Sequence, residues 1–439
     1  MKIEARTARK PAQGWLYGAG AAFFLLVLLA PNLLVFAGGQ ADYNGEGSSV
    51  RQIGYLGVLV ASIYAAWKQG AGIRALRLPW PILLMFAWCW ASMAWSINAD
   101  VGVRRLILTS IIIWNVFIIV QSAGYDRTIK IMRIAFVASL IGGYLAVALD
   151  PPLGIHMSVD GDINTALVGN WRGLLGHKNI AGAGCAFTMI LFIYDAADIK
   201  KWIRFAVLLA AAIFLYKSQS KTSAGMLAIA VGCGWIFQRY DDKVRAFAIP
   251  AIMFLTAIVW FLYNTYQTFV FDNFLNPKFF TGRGFIWSAM FRYAGDHLVL
   301  GSGFGSFWNV GFNSPIFDYG QGYVRTVATG HNGYLDLLVS IGLPGLLLVV
   351  FACVVWPVYQ LLTSRIIPQR GALAMSVLLF GMGHNITESS LLERDALVGV
   401  MMIVAVAIAQ NWEQAGAVAK KMSGSDLFTS LAQRRREPA

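Results

Sequence analysis

The chain has 439 residues, of which 57% are hydrophobic and only 13% are charged, with a formal net charge of +13. Soluble proteins carry roughly 25% charged residues, so this composition excludes an ordinary soluble domain. A basic chain can bind nucleic acid, but in a membrane protein the excess more often marks cytoplasmic loops, and we expect no nucleic-acid partner.

Apolar runs recur along the whole chain, and about twelve of them approach the roughly 20 residues that a membrane span needs. They lie near 15–38, 50–67, 80–96, 104–122, 131–149, 179–195, 202–216, 222–237, 246–266, 331–360, 371–386 and 395–411. The first run is long enough to span, and no cleavable signal peptide is evident. The sequence therefore predicts an all-α, polytopic membrane protein with the lipid bilayer as its surroundings.

The basic residues predict how the spans are oriented. With the N-terminus in the cytoplasm, most of the 35 Lys and Arg residues fall on the cytoplasmic side, as the positive-inside rule requires. The predicted organisation is a cytoplasmic tail at 1–14, a transmembrane domain at 15–411 and a cytoplasmic tail at 412–439. The two longest connections, about 150–178 and 267–330, then face outward, and the second is long enough for short helices of its own.

Four outward stretches carry polar residues among apolar surroundings. They are GNWRGLLGHKNIAG (169–182), KSQSKTSAG (217–225), TGRGFIWSAM with LGSGFGSFW (281–308), and the segment leading into GHNGYLDLLVSIGLPG (330–345). Their cationic or imidazole side chains include those of Arg172, His177, Lys178, Lys221, Arg283 and Arg325. The glycines in the first stretch allow close backbone approach, and LGSGFGSFW is predicted to be a closely packed turn.

Positive charge on the outward face runs against the positive-inside bias, so it needs another explanation. Arg binds phosphate oxygens with a planar fork and Lys binds them as a point charge. Several such groups, together with the free N–H groups of a helix start, would hold a diphosphate. We therefore predict a bound lipid-linked phosphate whose head faces outward. The alternative is that single cations only reach towards anionic lipid headgroups.

His331 stands where the polar loop ends and a long apolar run begins, at a predicted helix N-terminus. The positive end of the helix dipole attracts anions there and favours a neutral imidazole. A neutral His331 can accept the proton of an attacking sugar hydroxyl while pyrophosphate leaves, its charge stabilised by Arg172, Lys221 and Arg283. The alternative is a helix cap with a histidine nearby.

The residue that orients His331 is not determined by the sequence. Asp336 lies roughly 140° round the helix from it and is a poor direct partner. Glu388 or Glu393, in the last outward connection, can be closer in space, and Asn332 is a further candidate for orienting His331 or contacting the acceptor.

The remaining motifs favour structural roles. His384, in an apolar run, is predicted to be buried and hydrogen-bonded to a neighbouring helix. No His, Asp and Glu spacing such as HExxH is present, which favours chemistry without a metal or cofactor. The four cysteines lie in apolar runs and are predicted to be packing residues.

The motifs WRGLLGHKN, SQSKTS, TGRGFIWSAM followed by LGSGFGSFW, and GHNGYLDLLVSIGLPG resemble those of the O-antigen ligase and polymerase family of bacterial membrane glycosyltransferases. Their order and spacing cover about 169–345. The resemblance implies a transmembrane fold of the C-type glycosyltransferase kind, in the bacterial inner membrane, with the active site facing the periplasm. It implies an undecaprenyl-pyrophosphate-linked donor, no nucleotide sugar or metal, and inversion at the anomeric carbon.

By the same resemblance, Arg172 and Arg283 would hold the pyrophosphate and His331 would engage the acceptor hydroxyl. The acceptor can be the next lipid-linked repeat, lipid A-core or a protein hydroxyl. The WRGLLGHKN form looks more like exopolysaccharide polymerases, so a polymerase is favoured and a ligase is the alternative. Polysaccharide export or chain-length proteins are candidate partners. From other classes, a transporter and a non-enzymatic assembly partner remain open.

Overall fold

The structure is a computed structural model that describes residues 9–36, 48–157, 167–241, 243–256, 258, 283–363 and 366–410. In these ranges the regular elements are helices, accompanied by two isolated β-bridges, Ile155 with Trp171 and Val310 with Phe312. The predicted all-α architecture is confirmed, and several of the helices are apolar enough for a multi-pass membrane protein.

The helices follow the apolar runs of the sequence. They are α1 (Arg9–Phe36), α2 (Ser49–Lys68), α3 (Trp80–Ala91), α4 (Ala99–Ala123), α5 (Tyr125–Leu149), α6 (Lys178–Tyr194), α7 (Lys201–Ser218), α8 (Lys221–Arg239), α9 (243–256), α10 (Arg283–Asp296), α11 (Gly333–Val350), α12 (Trp356–Thr363), α13 (Pro368–His384) and α14 (Leu397–Gln410). A π-helical turn at Phe351–Val355 joins α11 to α12.

Within the described ranges, four helices are both long and apolar enough to cross a membrane: α2, α4, α5 and the continuous α11–α12. Shorter apolar helices lie within α1 and α3 and at α6 and α14. The number of about twelve spans stays a prediction based on run length. Residues 1–8, 267–282 and 411–439, which include parts of the predicted tails and outward loop, lie outside the described residues.

Helices α8 and α13 pack closely against each other. Gly234 gives room for this contact, because a Cβ atom there would overlap the hydroxyl of Ser376. That hydroxyl donates a hydrogen bond of 2.9 Å to the Ala230 carbonyl. Small residues of this kind let helix backbones approach closely where lipid removes the usual hydrophobic advantage. Cys89, Cys185, Cys233 and Cys353 are buried and unpaired, as their apolar surroundings predict.

A kink in α11 holds the outward segment against the bundle. Gly342 has φ 69°, which breaks the helix two residues before Pro344, and both residues favour such a break. The freed N–H of Leu343 donates to the Leu298 carbonyl at 2.7 Å. The Ser302 N–H donates to the Val339 carbonyl at 2.9 Å. Backbone groups exposed by the kink are therefore satisfied by the segment that precedes α11.

The outward segment has a small core of its own. Ile286 and Met290 of α10 pack with Phe307, Ile316 and Val324. Short helical turns at Ile316–Tyr319 and Gly322–Thr326 contribute to this core. Short helices were expected here, and the described part of the segment confirms them. The LGSGFGSFW turn also packs closely as predicted, since a Cβ atom on Gly303 would overlap Ser96.

Candidate functional site

The N-terminal ends of four helices meet at the segment that follows α13. Each end takes part in at least one hydrogen bond with this segment: Asn179 of α6 donates to Glu388, Thr222 of α8 accepts from Thr387, Arg283 of α10 donates to Glu388, and the Gly333 N–H of α11 donates to the Glu388 carbonyl. Helix starts carry unpaired N–H groups and the positive end of the helix dipole. The arrangement therefore concentrates positive potential at one place.

Glu388 is the carboxylate at the centre of these contacts. Its Oε1 accepts from Nδ2 of Asn179 at 2.6 Å and from Nη2 of Arg283 at 2.7 Å. Its side chain is 13% exposed. Burial alone would raise the pKa of Glu388, but hydrogen bonding with His331 and the charge of Arg283 outweigh it and lower that pKa to about 2. Glu388 is thus a carboxylate that stays ionised at neutral pH.

His331 lies beside this carboxylate. Its Nδ1 is 3.5 Å from Oε2 of Glu388, and its side chain is 33% exposed. Asn332 caps α11, because its side-chain oxygen accepts from the N–H groups of Tyr334 and Leu335 at 3.1 Å each. The predicted helix start is therefore where the sequence placed it. With Nδ1 facing Glu388, Nε2 is the nitrogen left for a substrate.

The cations Lys178, Lys221 and Arg283 lie close to one another, next to Glu388. Lys178 lies within electrostatic range of the other two and of Glu388. Arg283 also donates from Nη1 to the Thr387 carbonyl at 2.5 Å. In the described part of the chain, neither lysine ammonium group has a hydrogen-bond partner. The three cations outnumber the one carboxylate that Arg283 pairs with, so this group of four side chains carries a net positive charge.

Two imidazoles cap the start of α6. Nδ1 of His177 accepts from the Asn179 N–H and Nε2 of His156 accepts from the Lys178 N–H, both at 3.2 Å. Their ring centroids are 5.3 Å apart. Burial lowers the pKa of His177 to about 4. Burial also lowers the pKa of His156, helped by the charges of Arg172 and Lys178. Both rings accept hydrogen bonds, which requires the neutral form.

Arg172 and Arg325 lie in different settings from Arg283. The Arg172 guanidinium donates to the backbone carbonyls of Leu153 at 3.1 Å and Pro152 at 2.8 Å. It is linked to the cluster through its electrostatic contact with His156. Arg325 is exposed, and its Nε donates to the Gly320 carbonyl at 3.0 Å. Neither guanidinium contacts Glu388 through a hydrogen bond in the described ranges.

Strained backbone is concentrated near the cluster. The described non-glycine residues with positive φ are Gln219, Asn309, His331, Leu392 and Arg394. Gln219 precedes the start of α8, His331 precedes that of α11, and Leu392 and Arg394 follow Glu388. Left-handed conformations are costly for such residues and persist where the surroundings fix them, most often at functional sites.

Sequence reasoning left several site residues unassigned. Asn179 lies in a motif that was singled out, but its amide contact with Glu388 crosses 209 residues of chain. Thr222 and Thr387 likewise meet only in the folded bundle. Of the two glutamates considered for orienting His331, Glu388 approaches it. The hydroxyl and amide residues at the starts of α6 and α8 were the available signal, since such residues prefer helix starts.

His384 departs from its prediction. It is buried as expected, with 2% exposure. However, neither of its ring nitrogens has a hydrogen-bond partner in the described part of the chain. It stacks instead on Phe380, with centroids 5.4 Å apart. Hydropathy indicates that this position is buried, but it carries no information on whether a neighbouring helix supplies a hydrogen-bond partner. No group of three or more possible metal ligands is found among the described residues, and metal independence stays a prediction.

The comparisons with known proteins agree with the motifs. A family model described as O-antigen ligase matches residues 205–350, a range that runs from α7 through α11. The match includes Lys221, Arg283, Arg325 and His331, and it ends before Glu388. No curated protein matches the chain. The match confirms the resemblance predicted from the motifs: residues 205–350 of the chain form a domain of the O-antigen ligase type, which supports the O-antigen ligase and polymerase family.

Proposed function

We propose that the protein transfers a glycan from an undecaprenyl-pyrophosphate-linked donor to an acceptor sugar hydroxyl at the periplasmic face of the bacterial inner membrane. The observation that carries this proposal is the meeting of four helix N-termini, Lys178, Lys221 and Arg283 beside His331. A diphosphate needs several positive groups and N–H donors at one place, and helix starts supply both. The proposed transfer uses neither a nucleotide sugar nor a metal.

The donor pyrophosphate is proposed to bind among the cations. Lys178 and Lys221 carry ammonium groups without protein partners in the described ranges, so their donors are available to phosphate oxygens. Arg283 shares its guanidinium between Glu388 and the Thr387 carbonyl, which fixes its plane at the mouth of the cluster. Arg172 and Arg325 are proposed to contribute from its edges, and His177 with its Nε2–H. Charge developing on the leaving pyrophosphate is stabilised without reorganisation, because these groups are already in place.

His331 is proposed to receive the acceptor proton. Glu388 faces Nδ1 and so favours the tautomer with the proton on Nδ1 and the lone pair on Nε2. Nε2 takes the hydroxyl proton as the acceptor oxygen bonds to the anomeric carbon. The bond between that carbon and the pyrophosphate oxygen breaks, and undecaprenyl pyrophosphate departs with the electron pair. Attack opposite to the leaving group inverts the anomeric configuration. Asn332 lies next to this position and is proposed to contact the acceptor.

The acceptor is proposed to be the next lipid-linked repeat, which makes the protein a polymerase of exopolysaccharide or O-antigen. A ligase that uses lipid A-core is the second candidate, because the matching family model is described as an O-antigen ligase. The two activities share the donor cluster and differ only in the acceptor. Export or chain-length proteins are candidate partners of the polymerase.

Vesicles reconstituted with the purified protein and undecaprenyl-pyrophosphate-linked oligosaccharide test the proposal. Glycans of two or more repeats, resolved by electrophoresis, are expected from a polymerase. A parallel sample with lipid A-core detects ligation as labelled lipid A. Movement of the lipid-linked sugar across the bilayer with no new glycosidic bond would identify a transporter and contradict the proposal. Absence of both transfer and movement would contradict it as well and favour an assembly role.

A further inference from the structure

Asp336, in the first turn of α11, contacts the surroundings of His331 rather than its ring. Its Oδ1 accepts from Nε1 of Trp308 at 2.7 Å and from the Gly330 N–H at 3.1 Å. Its Oδ2 accepts from the hydroxyl of Ser389. Three donors from separate segments thus end on one carboxylate. The proposed transfer reaction assigns it no role.

These bonds hold His331 from both sides. The residue before it, Gly330, donates to Asp336 directly. The residue after it, Asn332, donates its N–H at 3.1 Å to the hydroxyl of Ser389, which in turn donates to Asp336. The backbone on either side of the imidazole is therefore fixed to the same carboxylate, directly on one side and through one serine on the other.

The same carboxylate fixes the partner of His331. Ser389 directly follows Glu388, so the bond from Ser389 to Asp336 determines where the Glu388 backbone lies relative to α11. The space is also closed: a Cβ atom on Gly330 would overlap Oδ1 of Asp336. The imidazole and the carboxylate that faces it come from segments 57 positions apart, and Asp336 is bonded to both segments.

Backbone strain indicates why such fixing is needed. His331 has φ 51°, a left-handed conformation that non-glycine residues adopt only when their surroundings impose it. Without the acceptor oxygens of Asp336, the Gly330 N–H, the Trp308 N–H and the Ser389 hydroxyl would each lose a buried partner. The segment would then relax towards ordinary backbone geometry and carry the His331 ring away from Glu388.

We propose that Asp336 is the positioning residue of the site: through its bonds to Gly330, Trp308 and Ser389 it holds His331 and Glu388 in their mutual geometry. It acts by accepting hydrogen bonds and takes no proton from the acceptor. This inference rests on the proposed function, because the geometry that it fixes is that of the proton acceptor His331.

Turnover of Asp336→Ala and Asp336→Asn, in vesicles with lipid-linked oligosaccharide, tests the inference. In Asp336→Ala, kcat is expected to fall about 100-fold, the usual cost of misplacing a catalytic group, while the donor KM stays at the wild-type value. Asp336→Asn is expected to remain close to wild type. The amide oxygen of the asparagine can still accept from Gly330 and Trp308. Its Nδ2 can donate to the Ser389 hydroxyl, which then accepts from both the asparagine and the Asn332 N–H instead of donating to the carboxylate.

A second pair of variants separates this role from a general structural one. Ser389→Ala is expected to lower kcat less than Asp336→Ala, and the double variant to be no slower than Asp336→Ala alone, because both act through one network. Ser390→Ala is the matched control: it is the adjacent buried serine, outside the Asp336 network, and is expected to keep the wild-type kcat. Thermal unfolding in detergent establishes that each variant is folded.

The inference is overturned if Asp336→Asn is as slow as Asp336→Ala, which would assign the ionised carboxylate itself a chemical role. Losses of Ser389→Ala and Asp336→Ala that multiply in the double variant, or a raised donor KM with unchanged kcat, would also overturn it. Failure of the proposed function looks different, since wild-type protein then transfers no glycan. If Asp336→Ala does not fold, Asp336→Asn and Ser389→Ala still decide the matter.

Discussion

The two ends of α6 adjoin arginine–carboxylate pairs of the same chemistry in different surroundings. At its start, Asn179 and Arg283 both donate to Oε1 of Glu388. Beyond its end, Arg133 donates from both terminal nitrogens to the two oxygens of Asp198, at 2.6 and 2.8 Å. A helix of 17 residues separates the two pairs by about 25 Å along its axis.

The difference lies in what each carboxylate does for its neighbours. Asp198 has a side chain 62% exposed and serves one arginine with both oxygens. The hydrogen bond from Arg133 lowers the pKa of Asp198. Glu388 is 13% exposed and divides its bonds among several helix starts and an imidazole. The Asp198 pair joins α5 to the turn between α6 and α7, whereas the Glu388 pair organises a cluster whose cations are only partly neutralised. A buried carboxylate that is shared among several partners therefore indicates a candidate site, whereas an exposed carboxylate bound by one arginine indicates a structural ion pair.

The largest expected effect belongs to His331→Ala. Loss of the proton acceptor should lower glycan transfer by roughly 10²- to 10⁴-fold, the usual contribution of general base catalysis. His297→Ala is the matched control, because His297 lies in the same outward segment, is exposed, and packs on Tyr293. Transfer rates in reconstituted vesicles check the pair. Wild-type transfer by His331→Ala would remove the proposed role.

The next effect contrasts Arg283→Lys with Arg133→Lys. A lysine cannot bridge Glu388 and the Thr387 carbonyl with one planar group, so Arg283→Lys should lower transfer about tenfold or more. Arg133→Lys loses a fork of similar geometry, and should lower the thermal midpoint while leaving transfer per folded molecule unchanged. Rates normalised to folded protein check both. Equal losses of transfer at the two positions would show that the Arg283–Glu388 pair has no special role in the reaction.

A pH effect on stability is expected from His177. Its pKa is lowered from 6.5 to about 4 by burial, so the native state favours the neutral ring more than the unfolded state does. Its contribution is fully present above pH 6.5 and is lost as the pH falls from 6.5 towards 4. The thermal midpoint of the wild type should therefore fall over this interval, and less so in His177→Asn, which keeps a capping side chain without the titration.

Asp198→Asn is the control for that experiment. The pKa of Asp198 is lowered from 3.8, so its contribution is present above pH 3.8 and is lost only below it. Between pH 6.5 and 4 this variant should keep the wild-type dependence. A flattened curve in Asp198→Asn, or a wild-type curve in His177→Asn, would show that the cap of α6 does not carry the effect.

The smallest effect is expected for Asp198→Asn at neutral pH. The Arg133 side chain is 9% exposed, but the Asp198 side chain is 62% exposed, and solvent screening of that carboxylate keeps its contribution to the free energy of unfolding at about 1 kcal/mol or less. The asparagine oxygen can still accept from Arg133, so the thermal midpoint should change little and transfer should not change. Thermal unfolding and transfer rates of the same preparation check both. A large loss of transfer would contradict this expectation and show that Asp198 contributes to the reaction, although its described side-chain hydrogen bonds are with Arg133.

Hydropathy and helix-start signals predicted much of this molecule. The apolar runs coincide with helices because a helix pairs its own backbone N–H and C=O groups, which an apolar segment in lipid cannot pair with water. The start of α11 at Asn332 followed from the change from polar to apolar sequence. Lys178, Lys221 and Arg283, which lie near Glu388, were predicted as part of an outward set of cations because an outward location would oppose the bias that sets topology. That location stays a prediction.

The pairings inside the site were beyond the sequence. Glu388 meets Arg283 across 105 residues and Asn179 across 209, and periodicity carries no information on such distant partners. Arg172 was expected to hold the pyrophosphate. Its guanidinium also donates to the carbonyls of Pro152 and Leu153, and those bonds depend on the backbone turn at residues 151–154, which the sequence does not reveal. Asp336 was considered only as a partner of the His331 ring, whereas its contacts lie with the flanking backbone.

Equilibrium binding of undecaprenyl pyrophosphate to purified wild type, His331→Ala and Arg283→Lys tests the central claim most directly. The pyrophosphate is proposed to bind among the cations and helix starts, whereas His331 serves the acceptor. His331→Ala is therefore expected to bind with wild-type affinity, and Arg283→Lys about tenfold more weakly. Equal affinity of Arg283→Lys and wild type, or a loss of binding in His331→Ala alone, would contradict it.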